Sequence, residues 1–262
     1  METVKNNIPE QKPLEHLTEG VAPIMACIGT REDFEKEPTL GLTDRLGFWG
    51  ENQQNLFVDY YAYPYENNGK GIKNAGERTY AISEISDLNK FSVKYKNCTG
   101  VIVSGQDKAT GKNISFFTHQ DPLKVLPEGD VRRQFLADLK WRLKEMENRC
   151  IPGTIDAVIF GGNYLDSDRA EKEYNLSDPK VEFEKNYRDS IHLLLEHVSE
   201  VLGFQPTVIA GPKTTEESDD AIYDNEHRRL YLRRPKTGEV SSESFKPEEM
   251  ERREEQWKKE WK

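Results

Sequence analysis

The chain has 262 residues, of which 35% are apolar and 32% charged, and a formal net charge of −10. That length can bury a substantial core in one large domain, and the acidic balance argues against a nucleic-acid-binding domain, whose footprint is clustered basic charge. No run approaches the roughly 18 apolar residues that a membrane-spanning helix needs, so neither nucleic acid nor membrane is expected as a partner.

Residues 1–20 are polar and contain proline, and are expected to form a flexible lead-in without the apolar core of a cleavable signal. From Val21 to about residue 90 the apolar run APIMACIG, the aromatic segment LFVDYYAYPY and the loop-like NNGKG are expected to give short strands and loops that cover or extend a core. Cys27, inside PIMACIG, reads as a core residue. The stretch YKNCTGVIVSGQDKATGKNISFFTHQD, residues 95–121, reads as a β-hairpin.

Beyond the hairpin, Val131, Phe135, Leu139, Leu143 and Met146 recur at helical spacing, and Pro152 and Gly153 follow as a stop, so a helix is expected over about 130–149. TIDAVIFGG reads as a buried strand ended by two glycines. A second helix is expected through Phe183, Tyr187, Ile191, Leu194, Leu195, Val198 and Leu202, with Gly203 as its cap. QPTVIAGP then gives a strand, and AIYDNEHRRLYLRRPKTGEV gives two strands about a DNEH turn. Arg228, Arg229, Arg233 and Arg234 form a local basic cluster, expected on an exposed strand face. Residues 241–262 are expected to form a highly charged tail, leaving 21–240 as one domain of α+β class with two long helices packed on a sheet.

Within the hairpin, pairing Ser104 with Asn113 puts Val101 opposite Phe116 and Val103 opposite Ile114 on an apolar face. The same register sets Cys98 directly opposite His119, where Cβ atoms stand roughly 4.5–5.5 Å apart. A thiol beside an imidazole can give up its proton and act as a nucleophile. A free cysteine is equally at home as a small buried hydrophobe, and the residues alone leave both readings open. Cys150 falls at a helix C-terminus, where the dipole disfavours a thiolate. The three cysteines do not form a disulfide framework, and a reduced, cytoplasmic setting is expected, with secretion or translocation without a cleavable signal as the alternative. Metal is not expected: there is no Cys-x-x-Cys, His192 and His197 do not share a helix face, and His227 sits in a turn.

The order of elements, carried by NCTGVIVS, ISFFTHQDP, AVIFGGNY and DNEHRRLYLRRPKTGEV, resembles the bacterial chemoreceptor glutamine deamidase family (CheD), over roughly residues 90–240. A similar arrangement occurs in the catalytic domains of cytotoxic necrotising factor toxins. The resemblance implies a layered α/β/β sandwich and a catalytic dyad carried over to Cys98 and His119. It also implies a third polar contributor six residues before the cysteine, where Ser92 stands in this chain. The family's Leu-Gly-Ser-Cys or Leu-Ser-Gly-Cys approach is replaced here by Tyr95-Lys96-Asn97-Cys98. The implied reaction is hydrolysis of a protein glutamine side chain to glutamate with release of ammonia, without metal or organic cofactor.

Three functions are therefore weighed: a cysteine-dependent protein glutamine deamidase, a non-catalytic protein-binding module on the same fold, and an unrelated α/β protein in which Cys98 is core. In the first two the expected partner is a protein.

Overall fold

The computed structural model describes residues 15–30, 55–58, 80–162, 179–211 and 219–234. In chain order the elements are β1 (Met25–Thr30), β2 (Asn55–Phe57), β3 (Tyr80–Ile82), β4 (Asn89–Tyr95), β5 (Thr99–Gln106), β6 (Asn113–Gln120) and the short α1 (Pro122–Val125). They continue with α2 (Asp130–Arg149), β7 (Asp156–Gly161), α3 (Pro179–Leu202), β8 (Thr207–Ile209), β9 (Asp219–Asp224) and β10 (Arg229–Arg234). The strands form two five-stranded sheets, an outer one ordered β1-β10-β9-β4-β2 and a central one ordered β3-β6-β5-β7-β8. Most pairings are antiparallel, and β1–β10, β2–β4 and β7–β8 are parallel.

The central sheet is covered on both faces, which explains why its strands read as nearly continuous apolar runs. Val101, Val103, Ile114, Phe116, Ala157 and Ile159 face the helices, and Ile102, Phe117, Val158 and Phe160 face the outer sheet. The alternation of a strand thus feeds two cores at once, giving an α+β fold layered helix, sheet, sheet. On α2 the spacing of Phe135, Leu139, Leu143 and Met146 makes one stripe, and all four are fully buried. Each such side chain contributes about 1.5–3 kcal/mol relative to exposure. α3 ends at Gly203, whose φ of +75° is the left-handed conformation that glycine adopts without strain. No helix among the described residues is long and apolar enough to cross a membrane.

Several expectations are corrected. Of the flexible lead-in, residues 1–14 lie outside the described residues, but 15–20 are held: the His16 ring stacks on Phe204 at 3.7 Å, and Thr18 N–H donates to Gly153 O at 2.8 Å. Within 21–90 the described short strands extend the sheets, β1 and β2 at the edges of the outer one and β3 at an edge of the central one. Cys27 is half-buried on β1, paired with Tyr231, and is no part of either core. Arg228 is not on an exposed face: it is 3% exposed, and its guanidinium donates to Thr154 O at 2.9 Å and to Ser104 O at 3.4 Å. The charged tail, 241–262, lies outside the described residues.

The hairpin register also differs. Ser104 pairs with Ser115 and Gln106 with Asn113, so β5 runs two residues further into the turn than expected and the pairing slides by two. The cause lies in the turn, which closes around Asp107: its N–H donates to Lys112 O, its carbonyl accepts from Gly111 N–H, and its carboxylate accepts from Ala109 N–H. Gly105, which resembles a turn glycine, is instead a strand residue against which Cys150 packs, with Sγ 2.7 Å from where a Cβ would stand. A slide of two leaves every side chain on its expected face.

Candidate functional site

The observed register continues to Thr99 opposite Gln120, so His119 falls opposite Gly100 and Cys98 lies one residue before the first paired residue of β5. The direct opposition of Cys98 and His119 is therefore corrected to a diagonal relation on one face, for which Cα atoms lie roughly 7–8 Å apart and any contact depends on the reach of the imidazole, because cysteine is short. Both belong to the core between the two sheets, at the end of the sandwich where β5 begins and β6 finishes. Gly100 keeps this corner narrow. A Cβ there would stand 2.5 Å from the Phe160 ring and 2.6 Å from Thr118 O, so only glycine lets the strands close.

Ser92 reaches the site from the other sheet. It lies on β4, paired with Ala221, and its Oγ is 2.8 Å from His119 Nδ1 in a fully buried hydrogen bond. If Nδ1 carries the proton it donates to Ser92, and the nitrogen for exchange with a thiol is then Nε2. Burial pushes the imidazole down to about 3, so the ring is neutral at physiological pH.

Tyr95, at the end of β4, stacks on His119 with ring centroids 3.9 Å apart and planes 17° from parallel. Its hydroxyl donates to Thr118 O at 2.9 Å. Thr118 in turn accepts from Val101 N–H through its Oγ1 at 2.8 Å. On the helix side of the same strand ends, Thr99 Oγ1 is 2.7 Å from Ser190 Oγ on α3, and Gln120 Nε2 donates to Thr99 at 3.1 Å. The strand ends that bear Cys98 and His119 are thus tied to both neighbouring layers.

Approaching the cysteine, Asn97 has φ +57°. Asn is one of the few residues that visits this left-handed region readily, and it stands one residue before Cys98, where Leu-Ser-Gly-Cys would have glycine. After the site, Gly162 N–H donates to Cys98 O at 3.0 Å, and a Cβ on Gly162 would run into the Tyr95 carbonyl. The two glycines ending AVIFGG are both required by contact, since Gly161 abuts the Tyr187 ring in the same way.

Cys98, His119 and Ser92 are 3%, 1% and 0% exposed. Of the other two thiols, burial pushes Cys150 up to about 11, and burial raises Cys27 against the lowering effect of Arg229. His197 Nε2 lies 3.0 Å from Leu136 O, and His227 Nδ1 lies 2.8 Å from Asp224. Among the described residues no three His, Cys, Asp or Glu side chains converge as a metal site. Sequence reading did not find Tyr95, Gln120 or Ser190. Tyr95 stood in the quoted approach to Cys98, but nothing local marks it as reaching an imidazole 24 positions further along the chain. No family model matches the chain, and no curated protein matches it.

Proposed function

We propose that the chain is a cysteine-dependent amidohydrolase of the protein glutamine deamidase type, with Cys98 as nucleophile, His119 as acid–base and Ser92 as the residue that orients the imidazole. The observation that carries this reading is the Ser92–His119 Nδ1 hydrogen bond, made between two different sheets. It holds the ring plane, as the orienting member of a triad must, and in the proposed reaction Nδ1 is the protonated nitrogen. Burial keeps the ring neutral, the form from which a base starts, but at about 3 it is too weak a base for a thiol, so the reading requires that substrate entry relieve that burial.

In the proposed reaction the Cys98 thiol attacks the carboxamide carbon while its proton passes to His119. The tetrahedral intermediate collapses as the C–N bond breaks, and the imidazolium returns that proton to the departing nitrogen, releasing ammonia and leaving a thioester. Water then adds with His119 again as base, and breaking the C–S bond restores the thiol and frees glutamate. Ser92 Oγ accepting from Nδ1–H stabilises the transient imidazolium, whose charge would otherwise be costly in so buried a place.

A second reading, a protein-binding module in which the three residues are structural, is favoured by one observation, the near-complete burial of thiol and imidazole. Alkylation of the three cysteines, followed by mass spectrometry across pH, separates the two. The enzyme reading expects Cys98 to be the most reactive thiol and its rate at pH 7 to fall at least roughly tenfold in His119→Ala. Equal rates in both proteins would remove the catalytic role.

A further inference from the structure

Cys98 lies one residue from solvent, because Lys96 and Asn97 are half-buried while the thiol and imidazole beyond them are closed off. At this end of the sandwich the side chain laid across the imidazole is Tyr95, itself 1% exposed, with its ring also packed 5.2 Å from Phe160. We propose that Tyr95 is a plug over the Cys98–His119 pair, and that the segment Tyr95–Asn97 swings aside to admit a glutamine side chain. What enters rests on the deamidase reading; how it is admitted rests on the geometry around Tyr95.

The backbone is built for such a movement. The pairing of β4 with β9 shifts between Ser92 and Tyr95 and resumes at Tyr95 with Asp219, so an irregularity of the ladder lies just before the plug. Asn97, just after it, is in the left-handed region. The irregularity separates the two residues that touch His119. Ser92 lies before the shift, paired with Ala221, and keeps the imidazole oriented; Tyr95 lies after it, paired with Asp219, so opening has to break that ladder pair. The hydroxyl's hydrogen bond to Thr118 O and the stack on His119 tie the plug to β6, and the ring also packs on Phe160. The closed position is also shaped from behind, since Gly162 sits against the Tyr95 carbonyl with no room for a Cβ. A methyl group at 162 is therefore a wedge that holds the segment outward.

The test is iodoacetamide labelling of the native full-length chain, read cysteine by cysteine by mass spectrometry, in the wild type, Tyr95→Phe, Tyr95→Ala and Gly162→Ala. Each is made with and without His119→Ala. Loss of a stacked ring and a hydrogen bond is expected to raise Cys98 labelling roughly tenfold or more in Tyr95→Ala. Gly162→Ala should move the same way and Tyr95→Phe should lie between. Cys150, buried at 1% exposure, should stay unlabelled. Unchanged Cys98 labelling in Gly162→Ala and Tyr95→Phe overturns the plug even if Tyr95→Ala fails to fold. A parallel rise at Cys150 also overturns it, because the whole fold has then loosened. If Cys98 labels faster in Tyr95→Ala whether or not His119 is present, the plug stands and the deamidase reading falls.

Discussion

Lys90 sits two residues before Ser92 on the inward face of β4, fully buried, with its ammonium donating to Ser86 O at 3.0 Å and Leu88 O at 2.6 Å. Two carbonyls do not replace a hydration shell, and burial pulls the amine down to about 7 against the weaker raising effects of Asp87 and Glu84. The sign of the consequence is fixed by linkage. Between about pH 7 and 10 the unfolded amine holds its proton while the folded one releases it, so stability rises with pH across that window. Lys90→Met should remove that rise, each unit of lost shift being worth ~1.4 kcal/mol. Urea midpoints of both proteins from pH 6 to 9 would show the difference, and parallel curves would mean that water reaches the amine.

The two long helices were legible because their apolar stripes repeat every turn within one segment. Their observed bounds, Asp130–Arg149 and Pro179–Leu202, enclose the residues the pattern named. Of the edge strands, β8 was legible in QPTVIAGP and short strands were expected within 21–90, but where β1, β2 and β3 pair was not legible. β1 pairs with β10 across most of the chain, and β2 and β3 are three residues each, too short to show alternation. The hairpin was legible as an element but not in register, because Gly105 advertises a turn while serving a packing contact with Cys150. Glycines inside this sheet are set by such contacts. Gly100→Ala should therefore force Phe160 and the Thr118 carbonyl apart, costing about 1–3 kcal/mol as overpacked cores do. Thermal or chemical denaturation measures it, and a cost near zero would mean that the strand ends have slack the geometry does not show.

The candidate site depends on the whole molecule, since Ser92 belongs to the outer sheet and His119 to the central one, and only the face-to-face packing of the sheets brings them within 2.8 Å. Cys98 and His119 could be matched from the hairpin because they share it; Ser92 could be named only by its offset from the cysteine, and Tyr95 by nothing local. The same packing makes the sandwich sensitive to acid. In the unfolded chain His119 takes up a proton near 6.5, whereas in the folded chain burial delays this to about 3. Below about 6.5 the unfolded state therefore binds more protons, and stability falls as the pH drops towards 3. His119→Phe cannot be protonated, so its stability relative to the wild type should improve by up to ~1.4 kcal/mol for each pH unit descended. Taking the difference between the two proteins cancels the carboxylates common to both. Denaturation midpoints at pH 7, 6, 5 and 4 would test it. A constant difference would mean that the folded imidazole titrates like a free one, and that the two sheets open around it far more readily than their packing implies.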